Sequence, residues 1–197
     1  MSKTSTKRTS PVKNGFTLIE LMVTIGLAAI ISTIALPNFT AFTTKIRVDN
    51  EISQLYRLLL LARNTAVNYQ QNVVVCPLNN ASECTSDWHK EISVFIDDNN
   101  DKKFTPSAEE IIIRIKGEIK IQDKLEYGLG RTQILFEATG RTHGWGANGT
   151  FKYCAKEGQE FSRGIVVSTS GRFYSTSDIN NDGIDEVRSG KKIKCRS

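Results

Sequence analysis

From residue 16 to residue 36 the chain reads FTLIELMVTIGLAAIISTIAL, an apolar run broken by one charge, Glu20. At about 1.5 Å of rise per residue this run makes about 31 Å of helix, the thickness of a bilayer's hydrocarbon core. Beyond Pro37 the pattern changes to a stripe. Ile52, Leu55, Tyr56, Leu59, Ala62 and Ala66 recur at amphipathic-helix spacing, with Glu51, Gln54, Arg57, Arg63 and Asn64 between them and expected mostly to face away. A helix is therefore predicted to run on through 37–69 and to dock its apolar stripe on a sheet. The rest of the chain is strand-like, with predicted strands at 73–76, 92–96, 111–115, 134–136, 150–154 and 165–168 separated by Gly, Asn and Asp clusters. The predicted fold class is α+β, with one domain starting near residue 41 whose 70–197 portion is β-rich and antiparallel.

The chain has 197 residues, 39% of them hydrophobic and 24% charged, an ordinary globular composition that suits one domain and an appendage. Its net charge of +5 is unevenly placed. Lys3, Lys7, Arg8 and Lys13 precede the apolar run with no acid among them, and setting them aside leaves 22 basic against 21 acidic residues. Overall charge thus excludes nucleic-acid binding by the whole surface, so any such binding must be local. The same four residues orient the run, leaving the N-terminus cytoplasmic and exporting the remainder to a bacterial periplasm. In that oxidising compartment Cys76, Cys84, Cys154 and Cys195 suggest two disulfides. Three pairings exist; Cys76–Cys84 and Cys154–Cys195 are favoured, the first closing a short loop and the second pinning the C-terminus.

Glu20 is the anomaly, because a carboxylate within a span costs about 2.5–3.5 kcal/mol on insertion scales. A secretory signal has an uncharged apolar core and a small-residue cleavage site, for which Thr33-Ile34-Ala35 is a poor candidate. Neither a plain signal nor a plain anchor accounts for the acid. The residues Gly15-Phe16-Thr17-Leu18-Ile19-Glu20, however, resemble the class III signal of type IV pilins and type II secretion pseudopilins. The resemblance implies that residues 1–15 are a leader removed by a prepilin peptidase after Gly15, that Phe16 becomes an N-methylated terminus, and that Glu20 pairs with a neighbouring subunit's terminal amine and sets the stagger. It places residues 16–36 in the inner membrane and then in a filament core, with Pro37 at the customary kink position.

Further along, Val75-Cys76-Pro77, Trp88, Val94-Phe95-Ile96-Asp97, Ile134-Leu135-Phe136 with Gly140-Arg141, and Val166-Val167-Ser168 with Gly171-Arg172 resemble the GspH/FimT branch of that group, which includes the minor pilins FimT and FimU. This implies a pilin-like fold and, as partners, other minor pilins, the major pilin and the prepilin peptidase. The terminal G-R-x-R of the branch's DNA-binding members reads Gly171-Arg172-Phe173-Tyr174 here, which favours a pilus subunit over a protein that takes up double-stranded DNA. A type II secretion pseudopilin is the further alternative.

Three local patterns bear on chemistry. Asp178, Asn180, Asp182 and Ile184, with Gly183 at the sixth position, are spaced like the first half of an EF-hand loop and are candidate Ca2+ ligands, although Ser189 stands where the twelfth-position glutamate would be. Asp97, Asn99 and Asp101 repeat the alternation with Lys102 in place of the glycine. A solvated turn is the competing reading for both. Arg188, Lys191, Lys192, Lys194 and Arg196, with Arg172 upstream and Phe173 and Tyr174 for stacking, are candidate DNA contacts, against a reading as a solubilising tail. His89 and His143 belong to no catalytic or metal-ligand pattern, no G-x-S-x-G elbow occurs, and the expectation is that the protein is not an enzyme.

Overall fold

The computed structural model describes residues 15–107, 109–144 and 146–195, with side chains throughout except at 34–38. Trp145 and Arg196 therefore lie outside the described residues, as does the leader up to residue 14. By compactness the chain divides into Met1–Thr40 and Ala41–Ser197.

In the first unit, helix α1 (Leu18–Tyr69) begins. The helix runs through Pro37 without interruption, and the side chains of 34–38 lie outside the described residues. Among the described residues no helix is long and apolar enough to cross a membrane. The full apolar run needs residues 34–36, whose side chains lie outside the described set. What is described is a helical surface of exposed apolar side chains, including Ile19, Met22, Ile25 and Ile30.

In the second unit, the remainder of α1 is followed, among the described residues, by eight strands: β1 (Asn72–Pro77), β2 (Ile92–Asp97), β3 (Ile112–Lys116), β4 (Lys124–Tyr127), β5 (Ile134–Phe136), β6 (Gly149–Cys154), β7 (Arg163–Val167) and β8 (Phe173–Ser175). They form two four-stranded sheets, ordered β3-β2-β1-β5 and β4-β6-β7-β8, with every pairing antiparallel. Ile52, Leu55, Leu59, Ala62 and Ala66 of the predicted stripe are buried, in one core with residues of both sheets, Val75, Phe136, Phe151 and Ile165 among them. The alanines let the helix backbone approach closely, and burial begins earlier than the stripe suggests, at Thr44 and Val48. The Val73-Val74-Val75-Cys76 run is buried on both faces. Val73 and Val75 join the main core, whereas Val74 and Cys76 pack with Phe95 and Leu135 in a second cluster touched by Cys84 and Phe104.

Glu51 and Arg63 depart from the expectation of outward-facing polar residues. Lys116 Nζ donates to Glu51 Oε2 at 2.5 Å, and Arg63 Nε donates to the Gly140 carbonyl at 3.0 Å. Near the start of this unit Arg47 donates to Asp123 through Nε at 3.0 Å and Nη2 at 3.3 Å, and Nη2 reaches Glu157 at 2.6 Å. The helix is thus fastened by apolar burial along one face and by ion pairs along its margins.

Cys76 pairs with Cys84 and Cys154 with Cys195, the two connections favoured from the sequence. The second spans a sequence separation of 41 and, on the loop-entropy model, contributes about 4 kcal/mol. It holds the C-terminal segment against β6.

Candidate functional site

At the N-terminal motif, Gly15, Phe16 and Glu20 are all exposed. Glu20 Oε2 accepts from the Thr17 N–H and from Thr17 Oγ1, each at 3.3 Å, while the Glu20 N–H donates to Thr17 Oγ1 at 3.3 Å. Thr17 and Glu20 thus form a reciprocal capping box on the first turn of α1, a T-x-x-E signal present in the sequence that the reading of Glu20 as a registry residue passed over. These contacts are long, and they leave the carboxylate at the surface with the apolar side chains that follow it.

Five of the six basic candidates are among the described residues. Lys192 Nζ is engaged by Asp182 Oδ2, which holds the Asp182 carboxyl below the usual carboxylate range and raises the Lys192 ammonium. Lys191 and Lys194 are exposed, and Arg196 lies outside the described residues. Arg172 and Arg188 come together beside Arg63, Tyr56 and Tyr174 around a shallow hollow of about 340 Å³. Arg188 sits 4.1 Å above the Tyr174 ring. Phe173, offered as a stacking residue, makes a T-shaped contact with Tyr56 of α1 at 4.9 Å between ring centroids. Gly171, preceding Arg172, has φ +73°, and a Cβ there would stand 1.8 Å from the Gly140 carbonyl oxygen. The two Gly-Arg turns meet backbone to backbone, which is the structural reason for glycine there.

The two acidic loops share one geometry. In both, the fourth and sixth residues are left-handed: Asn100 (φ 63°) and Lys102 (φ 64°), then Asn181 (φ 60°) and Gly183 (φ 85°). In the first loop the Lys102 N–H lies 3.3 Å from both Asp97 carboxylate oxygens; in the second the Gly183 N–H donates to Asp178 Oδ2 at 2.8 Å. Asn99 and Asn180 each accept, through Oδ1, from the Asp two residues on, at 2.8 and 3.0 Å. Lys102, which stands in place of the glycine, adopts the same left-handed conformation as Gly183. Burial, with Asp101 and Glu110 nearby, raises the Asp97 carboxyl above its ordinary value.

Each loop also receives a glutamate that the linear pattern did not include. One carboxylate oxygen each from Asp97, Asp101 and Glu110 lie within 4.8 Å of one another, and the same holds for Asp178, Asp182 and Glu186. Glu186 is brought back beside Asp178 by the backbone pairing of Ser177 with Glu186. Asn180 lies in the second loop with its Oδ1 turned to the Asp182 N–H, and the Ile184 N–H donates to Asp182 Oδ1 at 3.1 Å.

Comparison with known proteins bears on the whole chain. Residues 51–171 match the family model of the type II transport protein GspH, and residues 11–36 match that of the prokaryotic N-terminal methylation motif. No curated protein matches the chain. Among solved structures it is similar to the type IV minor pilin FimU of Pseudomonas aeruginosa strain PAO1, at 19% identity over 68% of this chain and 90% of that one, with a TM-score of 0.49. It is also similar to the minor pseudopilin EpsH from the type 2 secretion system of Vibrio cholerae, at 12% identity over 66% of this chain and 97% of that one, with a TM-score of 0.47. With more than half of its length matched by one family model and an N-terminal methylation motif ahead of that match, the chain belongs to the GspH family of type II transport proteins.

Proposed function

We propose that the protein is a minor pilin of a type IV pilus, cut after Gly15, N-methylated at Phe16, held in the inner membrane through residues 16–36 and then drawn into the fibre. The observation that carries this reading is the first half of α1. Its apolar side chains are exposed on every side, as at Leu21, Val23, Leu27 and Ile31, and a surface of that extent requires lipid or other helices around it. Glu20, surrounded by this surface, offers the one acidic group that can meet a neighbour's terminal amine, exchanging its long contacts with Thr17 for an ion pair in apolar surroundings. The β-domain supplies contacts with other minor pilins and with the major pilin; β3, an outer strand, exposes Ile112 and Ile115.

Mass spectrometry of the mature protein tests processing: a chain starting at a methylated Phe16 is expected, and an intact chain as the working form overturns the reading. Glu20→Val is expected to abolish recovery in sheared pili while the domain stays folded; normal incorporation counts against registry through this residue. Should the protein instead be retained in a periplasm-spanning secretion filament and its loss block protein export, it is a pseudopilin of type II secretion. A second reading, duplex DNA as a partner, is supported by the convergence of Arg63, Arg172 and Arg188 beside Tyr174. Mobility shifts that weaken with salt and vanish in Arg172→Ala/Arg188→Ala support it; no shift at low salt removes it.

A further inference from the structure

Among the described residues, two buried side-chain polar atoms have no hydrogen-bond partner, and they are Glu110 Oε1 and Glu186 Oε1. Each belongs to one of the two acidic clusters, and the two carboxyls are held alike. Glu110 Oε2 accepts the Thr105 N–H at 2.8 Å and Glu186 Oε2 accepts the Ile179 N–H at 2.9 Å, so each group is fixed by one oxygen while the other stays uncommitted. The two glutamates are 3% and 2% exposed.

We propose that the β-domain binds two calcium ions, one among Asp97, Asp101 and Glu110 and one among Asp178, Asp182 and Glu186. Burying an ionised carboxylate oxygen without a donor is costly, and setting two further carboxylates beside it adds repulsion. A divalent cation removes both costs. The separations fit, because opposite oxygens around an ion with bonds of about 2.4 Å stand about 4.8 Å apart. The donors are all oxygen, with no His or Cys, which selects a hard cation over zinc. Three carboxylates on a loop that closes by its own backbone bonds suit the larger, geometrically tolerant calcium better than magnesium, which demands a near-ideal octahedron and retains its waters.

The missing twelfth-position glutamate of the second loop is thereby supplied from the ninth position, and the first loop receives its own from Glu110. The sites differ in their lysines. Lys192 places its ammonium on Asp182, whereas Lys103 is turned to Glu83 at 2.7 Å. In the absence of calcium Lys192 partly neutralises the second cluster and competes with the ion there. The proposal is independent of which filament the subunit serves.

The test is calcium chloride titrated into the full chain in detergent micelles, followed by calorimetry and thermal unfolding. Two ions per chain are expected, with Kd values of about 0.1–1 mM, the range of extracellular calcium modules. At tenfold Kd the two together raise Tm by about 5–10 °C, reversed by chelator. Glu110→Gln is expected to remove one ion and Glu186→Gln the other. Should these buried variants fail to fold, the exposed Asp101→Asn and Asp182→Asn serve the same purpose. Lys192→Met is expected to tighten the second site about twofold to fivefold. No heat and no Tm change up to 10 mM calcium overturns the proposal, as does uptake insensitive to these variants. A single ion lost with Glu186 alone overturns the first site, and unchanged affinity in Lys192→Met overturns Asp182 as a ligand.

Discussion

Asp123 lies on the short segment before β4, with a side chain wholly shielded from solvent. It accepts four hydrogen bonds: two from Arg47 of α1, one from Tyr153 Oη of β6 at 2.5 Å and one from the Lys156 N–H at 3.0 Å. Burial and the Asp123 carboxylate together push the Tyr153 phenol well above its ordinary value, so it remains a donor throughout the working range. Asp123→Ala strips the partner from a hydroxyl on a residue only 1% exposed, at about 1–3 kcal/mol. It also removes two charge-assisted bonds from Arg47, which keeps Glu157 and partial access to water. Together with the lost Lys156 bond, and by comparison with other broken buried ion pairs, the cost is about 4 kcal/mol. Tyr153→Phe leaves the ion pair intact and removes one bond, for about 1 kcal/mol. Urea unfolding followed by circular dichroism measures both, and the double variant closes a cycle with a coupling of at least about 1 kcal/mol. An Asp123→Ala variant within 1 kcal/mol of the parent, or strict additivity with Tyr153→Phe, would refute the view that this network fastens the helix to the domain.

Two further outcomes follow from the same contacts. Hydrogen bonds from Arg47, and then from Lys120, hold the Glu157 carboxyl down at about 2, against an ordinary value of 4.5. A depressed folded-state value means that its contribution is present above pH 4.5 and lost as pH falls toward 2; the Tm of Glu157→Gln should therefore be lower than the parent's at pH 6 and converge with it by pH 2, as read by thermal scans across that window. Gly171→Ala forces a Cβ onto the Gly140 carbonyl at a left-handed φ, so a loss of about 3 kcal/mol in urea unfolding is expected, and a loss below 0.5 kcal/mol would contradict the observed packing of the two Gly-Arg turns.

The helix and six of the eight strands are legible in the sequence, because each has a periodicity that local physics enforces: an apolar run, a 3.6-residue stripe, or a β-branched core. Boundaries shift slightly, as at β3, which starts at Ile112, and β7, which starts at Arg163. The two strands not foreseen, β4 and β8, are short and lie at outer edges of the second sheet. Lys124-Leu125-Glu126-Tyr127 alternates for only four residues, and Phe173–Ser175 offers three; both exist through their ladders to β6 and β7 rather than through propensity. Once β8 pairs with β7, Phe173 meets Tyr56 of the helix, a contact that the local sequence does not reveal.

The chain's own order determines the leader-like N-terminus, the acid at position 20, the amphipathic continuation and the spacing of oxygen donors in the two loops, since each depends on neighbours a few residues apart. Only the tertiary structure decides that Lys102 takes the conformation of a glycine, that Glu110 and Glu186 return to their loops with one oxygen uncommitted, and that Lys192 pairs with Asp182. Those outcomes are set by chain reversals that bring separated side chains within a few ångströms, and separation along the chain carries no record of distance in space.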